Sequence, residues 1–221
     1  MKKSVFLLLL ALSLTGCAAN GAKVDMQKKT YEGNGYSMTM EIPVIHGPAD
    51  FAREINAQYT ELCNSILNKF PEEAERSAVP KDTLKLTQKV AFNKNGILSI
   101  VGECESFTGG PHSNLSRVVK NIDMKNKRII KLDNLFADSG YTDRINSYIE
   151  TTAENSPADF RDLWKKPTMT SEREFYLSPD GLVIFFLPYE LSYYSKGFVE
   201  IKIPYEEIRN YMNPEYSVLL Q

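Results

Sequence analysis

Between two strand-like runs the chain reads Phe107-Thr108-Gly109-Gly110-Pro111-His112-Ser113-Asn114. Glycine relaxes φ and proline has no amide proton, so a Gly-Gly-Pro run cannot continue a strand ladder. The chain must turn back there, and strands joined by a short reversal pair antiparallel. The reversal also gathers backbone amides, an imidazole and a side-chain amide. That is the make-up of a binding loop, and equally of a structured turn. Gly109, Gly110, His112 and Asn114 are therefore ligand-binding candidates. His112 reads either as a group bonding its own loop backbone or as a ligand contact.

The flanking sequence supplies the partners of that reversal. Residues 36–43 alternate in strand fashion, with Pro43 ending the strand or placing it at an edge. Phe51, Ile55, Tyr59, Leu62, Cys63, Ile66, Leu67 and Phe70 recur at three- and four-residue spacing, which predicts a helix with one apolar stripe on a core. Asp50 is its expected N-cap and Pro71 its expected stop. Leu84, Leu86, Val90 and Phe92 alternate with polar residues, and Asn93-Lys94-Asn95-Gly96 carries hairpin chemistry. A polar turn at residues 125–128 leads into a strand at 129–132. A shorter helix follows, with Tyr141, Ile145, Tyr148, Ile149 and Ala153 on one face. Ser178-Pro179-Asp180-Gly181 is a turn, and residues 182–187 are apolar throughout, as in a strand covered on both faces. Strand runs with separate helices predict an α+β fold: an antiparallel sheet, a meander plus C-terminal strands, packed by an N-terminal amphipathic helix and a second shorter one. With 221 residues, 43% of them hydrophobic, the chain has material for one core and is short for two full domains.

The N-terminus reads as a targeting segment. Lys2 and Lys3 precede a short apolar run at residues 5–12, and Leu14-Thr15-Gly16-Cys17 matches the bacterial lipobox, in which the chain is cut before a cysteine that receives lipid. The expectation is a leader at 1–16, palmitate-type lipidation at Cys17, a flexible tether over 17–35 and one domain over 36–221. This places the protein outside the cytoplasm as a membrane-anchored lipoprotein, at an outer membrane or cell surface. Several acyl chains on one residue hold stably where a single chain is marginal. A formal charge of −2 gives no reason to expect a nucleic-acid partner.

Catalytic signatures are sparse. His46 and His112 are far apart in sequence, which leaves a metal site without paired imidazoles, so no metal or other cofactor is expected. No Gly-x-Ser-x-Gly elbow occurs. Glu103 and Glu105 share a strand face, either as an acid-base pair or, more simply, as a solvated face. With Cys17 assigned to lipid, Cys63 and Cys104 remain, either bonded to each other in an oxidising compartment or free, Cys63 then serving as a small hydrophobe. Tyr189, Tyr193 and Tyr194 lie around a proline and a Lys-Gly turn, where they either cap β-structure or form a recognition surface. If that turn and the Gly-Gly-Pro-His loop meet, they form a single site.

The order of elements carries a resemblance. The helix and meander, Thr-Gly-Gly-Pro-His-x-Asn, Leu-x-x-Leu-Phe at Leu132 to Phe136, Phe-Tyr-Leu-x-Pro-x-Gly-Leu from Phe175, Pro188-Tyr189-Glu190 and Ser195-Lys196-Gly197 together resemble the PdaC/RsiV-like domain. The likeness extends roughly over residues 36–212. Such domains occur outside the cytoplasm in lysozyme-sensing anti-sigma factors, beside a peptidoglycan deacetylase domain, and in lipoproteins. The resemblance implies a non-catalytic binding or sensor domain with lysozyme-like proteins or peptidoglycan fragments as first ligands. A cell-wall glycan hydrolase or deacetylase-associated enzyme is the alternative, with Glu103, Glu105 and His112 as its groups. A structural component of an envelope complex is a third. Pro111 and Ser113 depart from the family's more usual Gly-Gly-Ala-His-Gly, stiffening the loop. No anti-sigma segment or deacetylase catalytic domain is recognisable, so neither signalling by regulated proteolysis nor deacetylation is expected to carry over.

Overall fold

The structure, a computed structural model, describes residues 8–12, 21–33, 35–74, 81–156 and 169–220. Cys17 and its cleavage motif lie outside the described residues. Where composition argued for one core, the chain gathers into two compact units. One comprises residues 1–118 with 124–127, the other residues 119–123 with 128–221.

In the first unit, β2 (Val24–Gly33) and β3 (Tyr36–Ile45) form a fully registered antiparallel hairpin, Val24 opposite Ile45 and Gly33 opposite Tyr36. This corrects the expected tether through residue 35: residues 24–33 are strand. Their side chains are mostly half-buried, a position that tolerates polar residues, so the composition imitated a linker. In the full chain, β1 (Leu8–Leu12) lies antiparallel on β2. Pro43 sits inside β3 and does not end it. The ladder from β3 to β4 stops at Met40, so proline removes no donor needed on that side.

Helix α1 (Ala49–Ala74) crosses over to β4 (Asp82–Lys94), which pairs parallel to β3. Sequence alternation does not reveal this parallel pair, because it depends on the direction in which the helix returns the chain. Phe51, Ile55, Tyr59, Cys63 and Phe70 are buried as the stripe predicts, while Leu62, Ile66 and Leu67 are only half-buried. Two boundaries differ from expectation. Asp50 lies in the first turn, paired with Arg53 at 3.4 Å, and is not the cap; Pro71 lies within the helix and is not its stop. The inward faces of β3, β4 and β5 (Ile97–Phe107) supply Met38, Met40, Leu86, Leu98 and Ile100, all almost wholly buried. Each contributes about 1.5–3 kcal/mol of hydrophobic stabilisation.

The β4–β5 turn has Asn95 at φ 55° and Gly96 at φ 82° between the paired Lys94 and Ile97. Two successive left-handed residues match the twist of a two-residue hairpin. Val90 departs from its expected inward place and is 38% exposed, because a bulge between Val90 and Phe92 breaks the alternation. The strand β6 (Asn114–Asp123) follows the Gly-Gly-Pro-His loop and neighbours β5, giving the predicted reversal.

In the second unit, β7 is only Arg128–Ile129, shorter than expected, and Leu132–Leu135 forms a 3-10 turn. Phe136 beyond it stacks on Tyr141 at 4.0 Å. Helix α2 (Tyr141–Asn155) buries Tyr141, Ile145, Ile149 and Ala153, with Tyr148 half-buried. A separate antiparallel sheet places β9 (Gly181–Phe186) between β8 (Phe175–Ser178) and β10 (Val199–Pro204). All six residues of β9 are buried, as its unbroken apolar sequence requires. The buried Asn121 amide donates to the Phe175 carbonyl at 2.8 Å, satisfying an acceptor on the outer strand of that sheet. The fold is α+β.

Candidate functional site

The Gly-Gly-Pro-His loop belongs to the first unit. Gly109 and Gly110 have φ of 97° and 102°, which side chains avoid. A Cβ on Gly110 would meet nothing within 4 Å, so glycine is there for backbone freedom and not for close packing. His112 is exposed, with Nδ1 3.1 Å from the Ser113 carbonyl, onto which a protonated Nδ1 donates. Asn114 is exposed and begins β6. The four candidates are thus gathered on one hairpin loop, and the geometry accounts for His112 as a loop-bonding group.

Each carboxylate beside it has a cation as a neighbour. Glu103 lies 3.6 Å from the half-buried Arg117, and Glu105 stands opposite Lys85 in the ladder. This face of β5 is a mixed-charge strand face. Among the described residues, no group of three or more His, Cys, Asp or Glu side chains could hold a metal ion.

Cys63 and Cys104 are both free thiols, Cys63 buried and Cys104 half-buried. The Cys63 thiol sits within the electrostatic reach of Lys29 and Tyr31 on β2. Lys29, Met40, Leu86 and Cys104 are successive partners across β2, β3, β4 and β5. Cys104 thus lies three strands from Lys29 in the sheet. Burial pushes both thiols up, offset for Cys63 by Lys29 and for Cys104 by a hydrogen bond from Ser116.

The aromatic turn belongs to the second unit and has the more unusual geometry. The Glu190 amide donates to the Leu187 carbonyl at 3.0 Å, closing a four-residue turn with Pro188 second and Tyr189 third. Tyr189 has φ 69°, the left-handed conformation that this third position usually reserves for glycine. The residue is 61% exposed, and its ring stands 5.5 Å from that of Tyr194, tilted by 46°. Tyr193 is 47% exposed and Leu187 45%. Lys196 and Gly197 amides donate to the Tyr193 and Tyr194 carbonyls, so the tyrosines stand on a closed 3-10 turn. Leu187 and Glu190 also line an open cleft of about 400 Å³ together with Glu172, Arg173, Glu174 and Phe185.

The residues that hold the turn were not apparent from sequence. One Glu190 carboxylate oxygen accepts from the Leu187 amide at 2.9 Å, the other from Arg173 at 2.5 Å. The Arg173 guanidinium lies 4.8 Å over the buried Phe186 ring. A signal was present in Pro188-Tyr189-Glu190, a proline-led turn with a bulky residue where glycine belongs, but Arg173 lies seventeen residues from its partner.

A sheet bearing one long crossover helix, followed by a three-stranded sheet with a second helix, defines an α+β domain. Two family models match separate stretches: residues 29–115 match the family described as deacetylase PdaC, and residues 133–206 match a protein family of unknown function, DUF3298. The chain carries a PdaC/RsiV-like domain. Its fold is shared with two solved structures. A DUF3298 member from Bacteroides fragilis NCTC 9343 is 17% identical, with TM-score 0.59 over 99% of this chain and 95% of that one. A DUF3298 protein from Pseudomonas aeruginosa PAO1 is 17% identical, with TM-score 0.61 over 97% and 96%. No curated protein matches the chain significantly. The first match contains Gly109, Gly110, His112 and Asn114; the second contains Tyr189, Tyr193 and Tyr194.

Proposed function

We propose that this protein is a lipid-anchored component of the bacterial cell envelope whose PdaC/RsiV-like domain is a non-catalytic binding module. The anchor is Cys17, supported by the lipobox Leu14-Thr15-Gly16-Cys17 behind a basic and apolar leader. The recognition surface is the tyrosine turn, and the observation that carries this reading is Tyr189, an exposed aromatic ring held at φ 69° beside Tyr194. Tyrosine offers a rigid apolar face with a polar tip at low entropic cost, which suits the C–H face of a sugar ring. The adjoining cleft gives a bound chain polar groups to orient it. Peptidoglycan fragments are therefore the first ligands to try, and lysozyme-like protein, suggested by the family, the second.

Calorimetry of the mature protein with a muropeptide tetrasaccharide and with lysozyme tests the reading. Saturable binding, weakened tenfold or more in Tyr189→Ala and Tyr194→Ala with the far-UV spectrum unchanged, is the expected result. Silence of the wild-type protein across both ligands overturns it. Lipidation is read separately, from palmitate labelling that disappears in Cys17→Ser.

A further inference from the structure

The turn that displays Tyr189 does not rest on its own backbone bond alone. Leu187 and Glu190 exchange two hydrogen bonds in opposite directions: the Glu190 amide donates to the Leu187 carbonyl, and the Leu187 amide donates to the Glu190 carboxylate. The turn is thus closed twice between the same two residues. The remaining carboxylate oxygen accepts from Arg173, and both members of this pair are only partly exposed, so the bond is charge-assisted and incompletely screened. Arg173 is itself fixed from behind by the Phe186 ring of the inner strand β9. A chain of contacts therefore runs from the core strand to the guanidinium, to the carboxylate, to the strained turn. A turn with no use for the ring would carry glycine at this position.

We infer that Glu190 and Arg173 are positioning residues, a latch that holds Tyr189 left-handed and its ring against Tyr194, so that the aromatic platform is formed before ligand arrives. This rests on reading the tyrosine turn as the recognition surface. A pre-formed platform spares the ligand the cost of ordering the loop. Both residues also line the adjoining cleft, so the latch is read from Leu187 exchange and the ring contact and not from affinity alone.

The test uses the mature protein and the variants Glu190→Ala, Arg173→Ala, Arg173→Lys and Tyr189→Ala, with a muropeptide tetrasaccharide as probe. Two readouts are needed: amide exchange of Leu187 with the Tyr189–Tyr194 ring contact by NMR, and probe affinity by calorimetry. Expected are at least tenfold faster Leu187 exchange, loss of the ring contact and about five- to tenfold weaker binding in Glu190→Ala and Arg173→Ala. Arg173→Lys, which restores the charge, recovers part of each. Unchanged exchange and ring contact in both alanine variants overturn the latch. Wild-type affinity in those variants, when Tyr189→Ala abolishes binding, overturns its positioning role while leaving the tyrosine reading standing. A silent wild-type protein removes the recognition reading, and the platform role with it.

Discussion

The Asn56 side-chain amide clasps the Ile45 backbone at both ends: its Oδ1 accepts from the Ile45 amide and its Nδ2 donates to the Ile45 carbonyl, each at 2.9 Å. A helix side chain thereby takes the place of a neighbouring strand at the end of β3. Asn93 makes the same two-bond clasp on Ala22, at 2.8 and 2.7 Å. Asn56→Ala leaves a half-buried donor and acceptor without their partner. It should cost about 1–3 kcal/mol, seen as a lower urea midpoint with unchanged slope. Asn56→Asp keeps the acceptor, loses the donor and sets a carboxylate against a carbonyl, so it should do no better than alanine.

Tyr189→Gly should separate stability from display. Glycine adopts a positive φ without steric cost, whereas a side chain there costs roughly 1–2 kcal/mol. Part of that gain is offset by the lost contact with Tyr194. The urea midpoint should rise by the equivalent of about 0.5–1 kcal/mol, while muropeptide binding falls.

Gly181→Ala should be among the most damaging single-methyl changes. A Cβ at Gly181 would lie 2.3 Å from the Ile203 carbonyl oxygen on the paired strand β10. That contact is with backbone, so it can be relieved only by moving one strand of the pair. A loss of about 2 kcal/mol or more is expected, read as a fall in thermal midpoint.

Alkaline pH should weaken the fold in two stages. Burial raises the Cys63 and Cys104 thiols above their ordinary 9.0, and the Tyr59 and Tyr205 hydroxyls well above 10.0. A raised acid binds its proton more tightly when folded, so its contribution is complete below the unfolded value and is lost as pH rises past it. Lys120, lowered by burial, has the opposite sign and adds stability as pH approaches 10.5, but it is one group against seven, since burial raises Tyr31, Tyr141 and Tyr216 too. Thermal midpoints should hold between about pH 7 and 9, then decline, more steeply above about 10. Tyr59→Phe should move the second stage to higher pH and leave the midpoint at pH 7 little changed.

The two thiols should titrate independently of reductant. Denatured mature protein with Cys17 lipidated should react through Cys63 and Cys104 with two equivalents of thiol reagent before and after treatment with dithiothreitol. An intact mass two hydrogens lower without reductant would show a bond between them instead.

Sequence by itself determined the features whose cause is local. The stripe on α1 follows from helical period, the Asn95-Gly96 hairpin from left-handed residues, and the reversal at Gly109-Gly110 from backbone freedom and a missing amide proton. Tertiary structure alone decided what depends on partners distant along the chain. The parallel pairing of β3 with β4 follows from the path of α1, and β2 is a strand because β3 offers it a complete ladder. At the candidate site, Tyr189 was legible as an aromatic on a turn, but its geometry was not. An isolated chain relaxes a tyrosine out of the left-handed region, and bonds from residues around it, the Glu190 amide and the Glu190 carboxylate gripped by Arg173 over Phe186, close the turn that carries it.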